Sequence, residues 1–357
     1  MESFTHVGLP CRVIHGPGRV KELPMEIESL GAKRCMFCCT KSRRKEVEKL
    51  ASLFPNLVAG ICDSAKIFVP IEAVEISCAT AKNLKADCLI SYGGGTAVGL
   101  AKATALELGI PIISIVTTYS GSETTSLQGI IGRDGKRTNY DDIQMLPKVI
   151  IYDPELTIEL PIDKSVVSGF NSISHAVSSF LGKYANPISH MYSESGIRGM
   201  ASAITKLRVE PQNITARSEA MHGAWLCGMT IMSSGTTIHH KITHVLGGGY
   251  NLSHGATHAI ILPHSTSYNR EVAPEAMLRI ARALGNEAKN APQALYELLS
   301  ESGAPSSLRE LGMQEKDLEE ASNRIMTDRY FNIREYEQDA IRILLQDAWE
   351  GKAPSGI

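Results

Sequence analysis

Side chains able to bind or move protons and metal ions are concentrated in the second half of this 357-residue chain. His240 and His244 stand four positions apart, so on a helix they share one face. His254 follows ten residues later, beyond Gly247-Gly248-Gly249, which reads as a turn. Upstream, Asn171 and His175 repeat the four-residue spacing on another predicted helix. Five polar groups from three segments can therefore converge in one cleft, and an i, i+4 histidine pair also suggests metal binding.

A second set of residues is suited to phosphate. Gly93-Gly94-Gly95-Thr96 falls between a strand and a helix. Glycines there let the backbone approach a pyrophosphate, and the helix N-terminus offers N–H donors and a favourable dipole. The next strand ends in Thr117-Thr118-Tyr119-Ser120-Gly121-Ser122-Glu123, whose small hydroxyls can donate to phosphate and ribose. Two such loops favour a dinucleotide, with Gly94, Gly95, Thr96, Thr117, Thr118, Tyr119, Ser122 and Ser126 as its contacts. After the strand 35–40 no acidic residue is available for a ribose 2′-hydroxyl, while Lys41, Arg43 and Arg44 could accept a 2′-phosphate. NADH and NADPH both remain open.

The elements that must position these groups are legible from periodicity. Apolar runs at 11–14, 35–40, 56–62, 87–92 and 111–116 read as strands, and Val20–Leu30, Ile71–Leu84 and Ala97–Leu108 as helices. In 71–84 the expected apolar stripe is Ala73, Ile76, Ala79 and Ala81, and Asp134-Gly135 marks a hairpin. Alternating strands and helices imply a parallel sheet covered on both faces. After Pro161 helical patterns take over, at 163–182, 189–208, 215–234, 274–284, 291–301 and 335–349. The last carries Ile341, Leu344, Leu345 and Ala348 as its buried stripe. The expectation is an α/β dinucleotide-binding domain over 1–160 and an all-helical domain over 161–357.

Composition removes several function classes. A net charge of -2 gives no electrostatic case for nucleic acid or an anionic membrane. No apolar run is long enough to span a bilayer, and the N-terminus lacks the pattern of a secretory signal, so a cytoplasmic protein is expected. The eight cysteines sit mostly in apolar segments. Cys35 and Cys38 form a CxxC with no second CxxC to complete a zinc site, so they read as reduced thiols of a buried strand. The sequons at Asn213 and Asn251 read as coincidence in that setting.

Taken together, the segments 93–102, 117–123, 152–156, 168–176, 239–255 and 257–264, with Ala220-Met221-His222-Gly223-Ala224-Trp225, resemble the iron-containing alcohol dehydrogenase superfamily, and within it the maleylacetate reductases. The resemblance runs nearly end to end and implies a dehydroquinate synthase-like fold. It places the family's metal ligands, one Asp and three His, on Asn171, His175, His240 and His254. Asn171 departs from that pattern: a neutral amide replaces the only anionic ligand, which implies an enzyme that works without metal. Gly99 is a second departure, where many relatives carry Asp.

The implied reaction is NAD(P)H-dependent reduction of the C=C bond of maleylacetate (4-oxohex-2-enedioate) to 3-oxoadipate, in aromatic-compound catabolism. An isolated carbonyl needs a Lewis acid for hydride attack, whereas hydride can add to the alkene carbon β to the ketone of an enone. The resulting enolate can be held by hydrogen-bond donors worth roughly 2–4 kcal/mol each. His244 or His254 would stabilise or protonate it, with His175, His240 and Asn171 shaping the former metal pocket. Lys241, Arg334 and Tyr119 are candidates for the substrate, whose two carboxylates need cationic or N–H partners. A homodimer is implied. Two rivals stand: an iron- or zinc-dependent alcohol dehydrogenase acting on a small alcohol or aldehyde, and a nucleotide-binding protein without turnover.

Overall fold

The computed structural model describes residues 3–286 and 290–355. It separates into two compact units, Gly8–Glu159 and Leu160–Ile357, the latter joined by Met1–Val7. Residues 3–7 group with the helical unit. The sheet recruits chain only from Arg12, where its first strand begins.

In the α/β unit the strands are β1 (Arg12–His15), β2 (Cys35–Cys38), β3 (Val58–Cys62), β4 (Cys88–Gly93), β5 (Ile112–Val116) and, after a hairpin, β8 (Val149–Tyr152). They form one parallel sheet in the order β1-β8-β5-β4-β2-β3. The chain leaves β2 toward β3 and leaves β4 toward β5, so the winding reverses between β2 and β4. Open parallel sheets bind ligands outside the carboxyl ends of strands at such a reversal. Cys35, Phe37, Cys88, Ile90, Ile113, Ile115, Val149 and Ile151 pack on one face. Met36, Cys38, Leu89 and Ile112 pack on the other, which explains the near-continuous apolar runs. All eight cysteines are free thiols.

The connecting helices are α1 (Leu23–Ser29), α2 (Arg44–Ala51), α3 (Ile71–Leu84) and α4 (Gly95–Leu108). The expected helix from Val20 divides, because a 3-10 turn over Arg19–Glu22 precedes α1. In α3 the buried positions are Ala73, Val74, Ser77 and Ala81, while Ile76 is 55% exposed and Ala79 is exposed. Of the expected stripe Ala73 and Ala81 are therefore buried, while Ile76 and Ala79 face outward and Val74 and Ser77 complete the buried face. β6 (Leu127–Ile131) and β7 (Arg137–Asp141) form the antiparallel hairpin around Asp134-Gly135. The buried Asp153 carboxylate accepts from the N–H groups of Gly18, Val20 and Glu155, tying the turn after β1 to the end of β8.

The helical unit contains α5 (Ile162–Leu181), α6 (Pro187–Val209), α7 (Ile214–Ser234), α8 (Ile238–Tyr250), α9 (His254–Tyr268), α10 (Pro274–Ala283), α11 (Ala291–Ser300), α12 (Leu318–Ile325) and α13 (Gln338–Glu350). Asn213 serves as the N-cap of α7, accepting from the Ala216 N–H. The stripe of α13 is buried at Ile341, Leu344, Leu345 and Ala348 as read from spacing. Gly247-Gly248-Gly249 is not a turn: it continues α8, which ends at Asn251 in the left-handed conformation (φ 53°). A Cβ on Gly249 would lie 2.5 Å from the half-exposed Arg324 guanidinium, a flexible group that can move aside. No helix among the described residues is long and apolar enough to cross a membrane.

Candidate active site

Within the helical unit, α5, α8 and α9 bring six imidazoles together. His175 comes from α5, His239, His240 and His244 from α8, and His254 and His258 from α9. The His175 and His240 rings stack with centroids 5.5 Å apart, and His254 meets His258 edge-on at 4.5 Å. His244 and His254 lie parallel at 6.5 Å, so the expected convergence of the α5, α8 and α9 histidines is present. His239 and His258 join them without having been singled out beforehand.

The hydrogen bonds around these two fix their tautomers. Ser265 Oγ donates to the Leu262 carbonyl, so it accepts from His239 Nδ1 at 2.9 Å. His239 Nε2 is then the acceptor for His258 Nδ1, also at 2.9 Å. Ser174 Oγ donates to the Asn171 carbonyl at 2.6 Å and so offers His258 Nδ1 a second acceptor. His240 Nδ1 faces Ser178 Oγ at 3.3 Å, and His244 Nδ1 faces the Tyr330 hydroxyl at 3.0 Å.

Burial keeps the deep imidazoles neutral. His175 is pushed down to about 4 and His239 to about 3, chiefly by desolvation and then by neighbouring imidazoles. His240 and His258 are held well below the usual range for the same reasons. His244 and His254 are only partly buried, which makes them the members of the cluster with access to a substrate. Lys241 is buried, its ammonium 5.9 Å from the Tyr330 ring centroid, and burial lowers its pKa while Asp328 raises it. Arg334, by contrast, is engaged elsewhere: it donates to the Tyr268 carbonyl, pairs with Glu337 and stacks on the Tyr268 ring. Its guanidinium braces the segment before α13.

Asn171 brings no charge to a metal-ligand set, and His240 bonds Ser178 through Nδ1, which leaves its Nε2 to face the cluster. Among the described residues no group of three or more His, Cys, Asp or Glu side chains is arranged to hold a metal. Two buried nitrogens, His175 Nδ1 and His240 Nε2, do lack hydrogen-bond partners.

In the α/β unit the two hydroxyl- and glycine-bearing loops meet. A Cβ on Gly94 would lie 2.5 Å from Thr118 Oγ1, and one on Gly95 would lie 3.3 Å from Ser122 Oγ. At Gly94 only glycine permits this approach, and at Gly95 the fit is tight. Thr117 Oγ1 and Ser122 Oγ are buried without partners beside the first turn of α4, whose opening amides have no acceptor within the helix. The cradle suits the diphosphate of a dinucleotide. Tyr119, expected to touch both cofactor and substrate, is fully buried, and its hydroxyl donates to Thr157 Oγ1. Ser126 is likewise occupied, donating to Asp141 at 2.5 Å. Gly99 has a local reason: a Cβ there would stand 2.7 Å from Val69 Cγ2 and 2.9 Å from Gln128 Oε1. Of the three cations after β2, Arg43 pairs with Glu46, and Arg44 with Glu48 and Asp63.

Both units match family models end to end. Residues 10–154 match the iron-containing alcohol dehydrogenase model, and residues 165–349 match the C-terminal model of the Fe-containing alcohol dehydrogenase family. The chain belongs to the iron-containing alcohol dehydrogenase family. It is 42% identical over 355 residues to the maleylacetate reductase of Burkholderia cepacia, covering 99% of this chain and 100% of that one. The maleylacetate reductase structure from Agrobacterium tumefaciens superposes with a TM-score of 0.95 at 37% identity, covering 99% and 100% of the two chains. That from Rhizobium sp. strain MTP-10005 superposes with a TM-score of 0.94 at 36% identity, with the same coverage. This family member is an oxidoreductase, so the reading of a nucleotide-binding protein without turnover falls away.

Proposed function

We propose that this oxidoreductase reduces the C=C bond of maleylacetate (4-oxohex-2-enedioate) to 3-oxoadipate with NADH or NADPH, without a metal ion. The observation that carries the reading is Asn171, a neutral amide one turn before the buried His175 in α5, where the resemblance places the family's anionic ligand. The names of the relatives support the substrate.

Bound in the α/β unit, NADH or NADPH would supply a hydride for the alkene carbon β to the ketone, the C=C electron pair passing to an enolate oxygen. His244 or His254, the accessible imidazoles, holds that oxyanion and delivers the proton to the carbon α to the ketone. His175, His240 and Asn171 form the dry floor on which these groups act, and their low dielectric strengthens each hydrogen bond to the enolate. Lys241 is the cation for a substrate carboxylate. In the other unit, Gly94, Gly95, Thr96, Thr117, Thr118 and Ser122 form the dinucleotide cradle. The ion pairs of Arg43 and Arg44 are exposed and weak, so they leave a 2′-phosphate acceptable as well as a free ribose. A cytoplasmic homodimer in aromatic-compound catabolism completes the proposal.

The test is loss of NADH absorbance on adding maleylacetate to protein dialysed against a chelator. Turnover with 3-oxoadipate as product is expected, and absence of NADH oxidation defeats the proposal. The two orphaned nitrogens of His175 and His240 favour one rival, a metal-dependent alcohol dehydrogenase. Stoichiometric iron or zinc, with activity lost to chelation, would establish it instead.

A further inference from the structure

Lys102 lies two turns inside α4 and is fully buried, yet no ion pair within 4 Å meets its charge among the described residues. Its Nζ donates to the Ser122 carbonyl at 2.6 Å, to Thr125 Oγ1 at 2.8 Å and to the Leu127 carbonyl at 3.1 Å. Three acceptors match the three protons of an ammonium. All three belong to one strap, Ser122 to Leu127, which joins the loop after β5 to β6. The nearby carboxylate, Glu123, is committed elsewhere: its Oε1 accepts from the Tyr152 hydroxyl at 2.6 Å. Glu123 and Tyr152 are both fully buried, so the strap is pinned from two sides.

The strap matters because of what stands at its start. Ser122 is the residue whose hydroxyl approaches Gly95 at the head of α4 and has no partner of its own. Lys102 grips the carbonyl of that same residue from within α4. The helix whose N-terminus faces the diphosphate thus also carries the group that sets the opposite wall of the cradle.

We propose that Lys102 is a positioning residue for nucleotide binding, clamping the Ser122–Leu127 strap so that Ser122 can meet a diphosphate at the N-terminus of α4. It touches no part of the nucleotide itself. The inference rests on the reading of this unit as the NAD(P)H site. The contribution is expected on the diphosphate, because Ser122 is the strap residue that stands against Gly95 at the head of α4.

Lys102→Met is the test, read by competition of ADP and of adenosine against NADH fluorescence, and by steady-state kinetics. Binding of ADP should weaken at least tenfold and adenosine less than twofold. KM for NADH should rise in step with ADP, while kcat at saturating NADH stays within about twofold. A folded variant that binds ADP as tightly as the wild type overturns the proposal. So does equal loss of ADP and adenosine, the mark of general collapse. If Lys102→Met does not fold, Thr125→Val removes one of the three acceptors; it should weaken ADP several-fold with adenosine unchanged, and unaltered ADP binding overturns the proposal. A wild-type protein that binds neither ADP nor NADH would instead refute the assignment of the nucleotide site.

Discussion

Acid should unfold this protein early, and the histidine cluster sets by how much. His175, His239, His240 and His258 are neutral in the fold, with pKa values at or below about 4, about 3 and, for the last two, well below the ordinary 6.5. In the unfolded chain each takes a proton as pH falls through 6.5. The unfolded state therefore binds more protons, and stability present above pH 6.5 is lost as pH drops toward the folded values. At pH 5 His175 and His239 each forfeit about 2 kcal/mol, about 4 kcal/mol together, and His240 and His258 add to the loss in the same direction. That is a large fraction of the roughly 5–15 kcal/mol that holds an ordinary domain. His264, buried and pushed down to about 4, acts in the same direction. The direct measurement is proton uptake on urea unfolding in unbuffered solution at pH 5.5, with no assumption about how the two units unfold. About three to five protons per chain should be consumed. Uptake of fewer than one would mean that the imidazoles are solvated or already charged in the fold, and the desolvated cluster would be refuted.

Four further outcomes follow from named contacts. Tyr330→Phe removes the hydroxyl 3.0 Å from His244 Nδ1; losing about 1–1.5 kcal/mol of orientation should lower kcat about tenfold and leave KM for NADH unchanged in steady-state assays. His244→Gln should cost more, about 2–4 kcal/mol of barrier, and unaltered turnover would remove His244 from the proton-donating role. Asn171→Asp buries a carboxylate among neutral imidazoles, so the apo variant should lose about 3–5 kcal/mol and recover on adding Zn²⁺, as thermal melts with and without chelator would report. Arg217→Met strips partners from the Pro211 and Leu160 carbonyls and from Ser165 Oγ, and should lower urea stability by about 3 kcal/mol or more without changing nucleotide affinity.

Local pattern carried the reading furthest where an element has one buried face or is buried throughout. The strands of the parallel sheet and the stripe of α13 are of that kind. It failed at α8 and α9. Three successive glycines imitate a turn, yet they continue α8, whose buried residues Ile238–Thr243, Leu246 and Gly247 hold the helix against the roughly 1 kcal/mol per glycine that a helix interior loses. In α9, Pro263 and the β-branched residues around Ile260 and Ile261 hide a helix buried from Ala256 onward, which has no polar face to reveal a period. That miss had a consequence for the site. His254 and His258 share the same four-residue spacing as His240 and His244, and the rule applied to one pair would have exposed the other had α9 been recognised.

What the chain determined unaided were residue types and short spacings: the glycine loop between β4 and α4, the paired histidines, and Asn171 where a charge was expected. These depend on neighbours within a turn or two, which sequence order fixes. Tertiary structure alone decided that His239 of α8 bonds to His258 of α9, that Lys102 reaches the strap beginning at Ser122, and that Tyr119 and Arg334 turn to structural partners. Those contacts join residues from 19 to 66 positions apart, and their strength comes from the removal of water when separate elements pack.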